Sequence, residues 1–243
     1  MQIRRFHLPE LTRNSTEACL EGNEAAHALK VLRLVPGDKL QLFNGAGLVA
    51  DAELLPHPSG ARNPREAVCR ILDVQAFPLP REMALFVAPP RGKAWDLVLK
   101  AAVELGFTRI QPFLSQYGVA KPDGCSDSWE QTLTAAMKQS ANPWLPETAA
   151  PIPFSEALKA AGNAIFGASP GAEALPRQEP IREHMAKINA VFVGPEGGFS
   201  RREEEEMLAA GAFPITIGPA ILRVETAVPA LAGFLYGATA YNP

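Results

Sequence analysis

Residues 193–227 constrain this chain more than any other stretch, because they set two glycine-bearing loops in tandem, each directly behind a short apolar run. The first loop, Val193-Gly-Pro-Glu-Gly-Gly-Phe-Ser200, follows the run 190–193. The second, Ile217-Gly-Pro-Ala-Ile-Leu-Arg-Val-Glu-Thr-Ala227, follows 214–217, and an acidic helix separates the two. Short apolar runs bounded by turn residues read as buried parallel strands. Each loop therefore lies at the carboxyl end of a strand, where open α/β sheets bind their ligands. The glycines of 194–198 also remove the Cβ atoms that would hold a ligand away from the backbone. One such loop alone is equally well read as a tight turn with no ligand; two in tandem predict a small-molecule pocket. A triphosphate is not the expected occupant, since a phosphate cradle needs Lys and then Ser or Thr behind its glycines, whereas Phe199 and Ser200 stand here.

Upstream, the chain is β-rich from Met1 to about Gln75, with one short helix whose face carries His27, Lys30, Val31 and Leu34 at three- and four-residue spacing. Polar and apolar residues alternate over 38–43. Asn44-Gly-Ala-Gly47 reads as a hairpin turn, because Asn and Gly tolerate positive φ, with 48–55 as the partner strand and 67–77 as a further one. The stretch 56–64 reads as an exposed loop and Pro78-Leu-Pro80 as a domain boundary. Several short strands punctuated by turns suggest a small barrel over 1–77. From 81 to 243 strands at 83–88, 110–114 and 164–166 alternate with helices at 93–105, 127–140 and 155–161, the pattern of a largely parallel sheet with crossover helices. Gly106 stops the first of these helices, and Asp127 with Glu130 gives the second a capping-box-like start. Ser200 with Glu203 forms the clearest capping box, Gly211 ends that helix, and Glu203 to Glu206 read as a solvated first turn.

Composition narrows the function classes. A chain of 243 residues, 47% hydrophobic and 20% charged, suits one large or two modest soluble domains. A formal net charge of −3 is not that of a protein that grips nucleic acid by bulk electrostatics, so any RNA contact must come from local patches. Cys19, Cys69 and Cys125 are odd in number, without a Cys-x-x-Cys, and read as reduced, buried thiols. His7, His27, His57 and His184 are scattered, and no metal is expected. The N-terminus lacks the apolar core of a signal peptide, and the apolar segment 227–241 is too short to span a bilayer, so a cytoplasmic protein with no membrane contact is expected. That segment reads as a helix buried in a core or a subunit interface.

The two glycine loops, with the acidic helix between them, resemble the C-terminal signature of the 16S ribosomal RNA uracil-N3 methyltransferases of the SPOUT class. The resemblance extends through Lys100-Ala-Ala-Val-Glu-Leu-Gly106 and through His27, Val31-Leu-Arg33 and Gly37-Asp38, and so covers nearly the whole chain. It implies an α/β protein with an N-terminal PUA-like β-barrel over 1–77 that binds RNA. It also implies a C-terminal SPOUT α/β domain over 81–243 with a trefoil knot, S-adenosylmethionine as methyl donor, 16S rRNA within the small ribosomal subunit as acceptor, and a homodimer. Knots are otherwise nearly absent from proteins, so that expectation rests on the resemblance alone.

Under this resemblance the donor is expected against Gly167, Val193, Gly194, Pro195, Glu196, Gly197, Gly198, Ile217, Gly218, Ile221, Leu222, Arg223 and Thr226. Uracil N3 carries a proton at neutral pH, so its methylation needs a stabilised anion or a base. Arg223 is the candidate cation and Glu225 the candidate base. Their bland alternatives are a salt bridge of Arg223 with Glu225 or Glu196, and a helix-dipole carboxylate for Glu225. RNA contacts are expected from Arg4, Arg5, Lys30 and Arg33, with Arg91, Lys93, Arg201 and Arg202 as further cations. The chain departs from the family pattern at Gln116-Tyr117, at Lys138-Gln139 with Asn142, and at Val224. Two alternatives therefore stay open: a SPOUT methyltransferase for another RNA position, or a non-catalytic RNA- or ribosome-binding protein.

Overall fold

The computed structural model describes residues 3–58, 65–120, 127–168 and 185–239. The chain divides into two units, Met1–Leu79 with Thr134–Leu145, and Pro80–Leu133 with Pro146–Pro243. Among the described residues no helix is long and apolar enough to cross a membrane.

The first unit is built on β1 (Arg4–His7), β2 (Glu17–Leu20), β3 (Lys39–Phe43), β4 (Leu48–Leu54) and β5 (Ala67–Ala76). They form one sheet in the order β1-β3-β4-β5-β2, with β1 parallel to β3 and the other pairs antiparallel. Because side chains alternate along a strand, Leu40 and Leu42 share a face with their cross-strand partners Ala52 and Ala50. That face meets Phe6, Leu20, Leu54 and Cys69 in the core. The expected turn at 44–47 is present: Gly45 and Gly47 have φ of 73° and 87°, and Asn44 Oδ1 accepts the N–H groups of Ala46 and Leu48. Gly47 is required for a second reason, since a Cβ there would lie 2.3 Å from the Trp144 ring. Backbone hydrogen bonds from Gly47 to Pro143 and from Leu145 to Gly45, both 2.9 Å, attach 143–145 to the turn.

The helical segment of this unit corrects the sequence reading. Helix α1 (Gly22–Ala26) runs into a π-helical turn, His27–Val31, in which Leu32 N–H reaches back five residues to His27 O. Grouping His27, Lys30, Val31 and Leu34 on one face assumes 3.6 residues per turn, and the wider turn breaks that register. Ala25 and Ala28 enter the core, with Leu29, Leu32 and Leu34 packed against it, while Lys30 and Val31 face solvent.

The second unit holds β6 (Ala84–Val87), β7 (Arg109–Leu114), β8 (Glu147–Thr148), β9 (Ile152–Pro153), β10 (Ala164–Gly167), β11 (Ala190–Val193) and β12 (Phe213–Ile215). All their pairings are parallel, in the order β12-β10-β11-β6-β7-β8 with β9 also on β7. Its helices are α2 (Lys93–Glu104), the start of α3 (Asp127–Ser140), whose residues from Thr134 on belong to the first unit, α4 (Phe154–Ala160), α5 (Arg201–Ala209) and α6 (Val224–Thr239). The expected parallel sheet with crossover helices is what forms. Every residue of β6 and β11 is buried, as a sheet covered on both faces demands. Gly106 ends α2 at φ 71°. The predicted strand over 214–217 stops at Ile215, leaving Ile217 exposed. Helix α6 buries Val224, Val228, Leu231, Ala232 and Leu235 and packs against α2.

The capping box of α5 forms as expected: Ser200 Oγ accepts the Glu203 N–H while the Glu203 carboxylate accepts the Ser200 N–H. Glu203 is nevertheless not part of a solvated turn. It is 6% exposed, and its second oxygen accepts the Gln116 N–H at 2.9 Å. The Asp127 cap lies outside the described side chains, as does Cys125; Cys69 is buried and Cys19 half-buried.

Candidate functional site

Because β10, β11 and β12 are parallel, their carboxyl ends at Gly167, Val193 and Ile215 emerge on one edge of the sheet. The segments that follow enclose a single cleft. Its wall is Gly167 and Ala168 behind β10; Val193, Gly194, Pro195, Gly198 and Phe199 behind β11; Ile215 to Gly218 and Ala220 to Leu222 behind β12; and Val224, Ala227 and Leu231 of α6. The cleft is open to solvent at its mouth.

Each loop is shaped by its own residues. Gly198 has φ of 74°, in the left-handed region that β-branched residues avoid, and its N–H closes a turn on Pro195 O at 2.8 Å. The next residue, Phe199, leaves the loop for the core, where it stacks parallel to Phe113 at 6.2 Å and meets Phe166 edge-on at 6.0 Å. Ser200 then caps α5, so the first loop is clamped at its end by aromatic packing and a buried carboxylate. A Cβ on Gly194 would meet the Phe199 ring at 3.0–3.2 Å, whereas one on Gly218 would meet nothing within 4 Å. The second loop therefore leaves open space beside its backbone. Ile217 and Ile221 stand at the mouth, the latter 76% exposed, as apolar surface that a ligand would cover.

Among the described residues, the wall is glycine and apolar side chains, with the Thr216 hydroxyl as its polar exception. Recognition of a polar ligand there falls to backbone N–H and C=O groups, so the site suits a molecule with an apolar body and hydrogen-bonding edges. Charge sits at the rim. Arg223 is 83% exposed, with its Nη1 4.0 Å from Glu225 Oε1, too long for a hydrogen bond. The ion pair offered by the sequence as a structural alternative is thus present, loosely, while Glu196 is exposed.

Of the residues expected against a cofactor, Gly167, Val193, Gly194, Pro195, Gly198, Ile217, Gly218, Ile221 and Leu222 line the cleft; Glu196, Gly197, Arg223 and Thr226 adjoin it along the chain without forming its wall. The sequence reading missed Ala168, Phe199, Ile215 and Thr216. It also missed the stripe Val224, Ala227 and Leu231, whose three- and four-residue spacing on one helix face was a usable signal. Among the cations, Arg4, Lys30 and Arg33 are exposed, and Arg33 holds φ of 54°. Arg5 is engaged instead: its Nη1 donates to the carbonyls of Lys138 and Gln139 at 3.1 and 3.3 Å, closing the last turn of α3. Lys138 pairs with Glu24 at 2.5 Å, and Glu24 also accepts the His7 N–H. Arg91 donates to Val119 O, and Arg201 and Arg202 pair with Glu205 and Glu206. Among the described residues no group of three or more His, Cys, Asp or Glu could hold a metal ion.

Comparison with known proteins matches residues 77–236 to the family model of an RNA methyltransferase domain and residues 20–56 to that of an RNA methyltransferase PUA domain. The ribosomal RNA small subunit methyltransferase E of Synechocystis is 31% identical, over 82% of this chain and 65% of its own length. This chain thus spans just under two thirds of that relative. The enzyme of the same name from Mycobacterium bovis is 25% identical over 94% of this chain and 89% of its own. Among solved structures, a ribosomal RNA small subunit methyltransferase E from Neisseria gonorrhoeae bound to S-adenosyl methionine aligns with a TM-score of 0.82 at 28% identity, covering 97% of this chain and 98% of that one.

Proposed function

Because the chain belongs to the RNA methyltransferase family, we propose that it transfers a methyl group from S-adenosylmethionine to N3 of a uracil in small-subunit ribosomal RNA. The observation that carries the reading is the cleft at the carboxyl ends of β10, β11 and β12, walled by glycine backbone and apolar side chains, with a cation at its rim. Its chemistry fits the donor. The open side of Gly218 leaves room for a ligand to lie against backbone, the left-handed Gly198 holds the facing loop in a turn, and Ile217, Ile221 and Leu222 supply an apolar mouth. When bound, the donor supplies an electrophilic methyl carbon on a sulfonium.

The chain's own part is positioning, which alone can lower a barrier by several kcal/mol. The loop 194–198 and the segment 217–222 bracket the donor, and the apolar rim keeps water from it. Arg223 is always charged and stabilises the uracil anion that must form at N3; Glu225 keeps that guanidinium at the rim and is the group assigned to take the N3 proton. The exposed Arg4, Lys30 and Arg33 of the N-terminal unit hold RNA phosphates, and Arg5 acts by fastening the last turn of α3. On the same reading 1–77 is the PUA-like RNA-binding domain and 81–243 the catalytic one. The second glycine loop threads a trefoil knot, the protein is a homodimer, and it works in the cytoplasm on the small ribosomal subunit.

Calorimetric titration with S-adenosylmethionine, followed by tritiated methyl transfer to 30S subunits and mass mapping of the labelled nucleoside, tests this. Binding with label on uracil N3 is the expected result. Label on another nucleoside changes the acceptor, binding without transfer removes the acceptor assignment, and no binding removes the enzyme.

A further inference from the structure

The segment that follows β7 departs from the family pattern at Gln116-Tyr117, and none of the roles assigned above uses it. It leaves a parallel strand, so it emerges at the same carboxyl edge of the sheet as the glycine loops. It is held firmly. Gly118 N–H closes a turn on Ser115 O at 3.0 Å, Gln116 N–H is bound by the buried Glu203 carboxylate at 2.9 Å, and Arg91 donates to Val119 O at 3.3 Å. Tyr117 at its tip rests on the first glycine loop: a Cβ on Gly197 would lie 3.1 Å from Tyr117 Cβ and 3.7 Å from its Cγ. The residue is still 49% exposed, and among the described residues of the second unit no other aromatic stands so far into solvent.

Uracil N3 lies on the Watson–Crick edge, so a base that is to be methylated there must be unpaired and drawn out of its stack, and proteins hold such bases on aromatic rings. The aromatic in the cleft wall, Phe199, cannot serve, because its ring is spent on Phe113 and Phe166. We propose that Tyr117 is the stacking platform on which the acceptor pyrimidine rests beside the methyl-donor cleft. This rests on the functional reading above and extends it to a specificity-determining residue on a segment outside the glycine loops. A rigid backbone with a free ring is what such a platform needs: the turn is ordered before RNA arrives, and only the ring face is desolvated on binding.

The test uses full-length protein with Tyr117→Ala and Tyr117→Phe, and three readouts: S-adenosylmethionine affinity by calorimetry, affinity for a short uridine-rich single-stranded RNA, and kcat/KM for methyl transfer to small-subunit rRNA. Tyr117→Ala should keep donor affinity within about twofold, which also reports an intact fold, while RNA affinity and kcat/KM fall by on the order of 10- to 100-fold, the size of base–aromatic stacking. Tyr117→Phe should restore both. Donor affinity falling in step with transfer would mean the ring merely supports Gly197 and would overturn the proposal, as would unchanged RNA affinity in Tyr117→Ala. A wild-type protein that binds donor and the short RNA but methylates no small-subunit rRNA overturns the acceptor assignment instead, and the RNA-affinity comparison still decides the role of Tyr117.

Discussion

Replacing Glu203 with Ala should do more damage than its place in a run of four glutamates suggests. The carboxylate is buried and accepts three donors: Ser200 N–H at 2.8 Å, Ser200 Oγ at 2.9 Å and Gln116 N–H at 2.9 Å. A hydrogen bond to a charged group contributes about 1.5–3 kcal/mol, and a buried donor left unpaired costs about 1–3 kcal/mol. The three bonds share one acceptor and are not additive, so Glu203→Ala should cost about 3–5 kcal/mol of unfolding free energy. Glu203→Gln tests the account more sharply, because one amide oxygen can serve Gln116 or Ser200 but its NH2 then faces a donor; about 2–3 kcal/mol is expected. Urea denaturation of the three proteins measures this. The same substitutions should weaken S-adenosylmethionine binding, since they release the capped end of the 194–200 segment and the turn that carries Gln116. A Glu203→Ala protein within about 0.5 kcal/mol of wild type, the range of an ordinary surface change, would refute the reasoning.

Three further outcomes follow from the same geometry. Gly198→Val forces a β-branched residue to φ of 74°, a strain of about 1–3 kcal/mol, and should abolish detectable S-adenosylmethionine binding in a calorimeter; affinity within threefold of wild type would remove this loop from the donor site. Arg223→Ala breaks only a loose, largely exposed pair, so stability should change by less than about 0.5 kcal/mol, while kcat should drop roughly 100- to 1,000-fold, as loss of one anion-stabilising donor does elsewhere; the reverse pattern would make its role structural. Burial pushes the Cys69 thiol up to about 12 from 9.0, so the folded form keeps a proton that the unfolded chain loses. Its contribution is fully present below pH 9 and is lost as pH rises toward 12, with stability falling by up to about 1.4 kcal/mol per pH unit across that window; a flat profile there in chemical denaturation would contradict the burial.

Much of the second unit could be read before any coordinates because its signals are local. The four-residue apolar runs of β6 and β11 occur where a doubly covered sheet needs them, and Gly106 takes the positive φ of the helix cap expected for it. The loops named for the donor site line one cleft for the same reason: parallel strands deliver their carboxyl ends to one edge. What was misread involves registers and partners. The five-residue reach of Leu32 N–H to His27 O turned Lys30 and Val31 outward, and nothing in their side chains announces it. Arg5 looks like any surface cation until Lys138 and Gln139 arrive beside it.

The sequence by itself determined the alternation of strands and helices, the two glycine loops, the capping box of α5 and the family, because each depends on a few neighbouring residues whose conformational preferences outweigh their surroundings. Only the tertiary structure decided that Trp144 closes over Gly47, that Glu203 binds Gln116 across the chain, and that Tyr117 rests on Gly197. These contacts join segments far apart in sequence, and they form because packing leaves each buried donor or bare glycine a single neighbour to meet. No local pattern encodes that neighbour's identity.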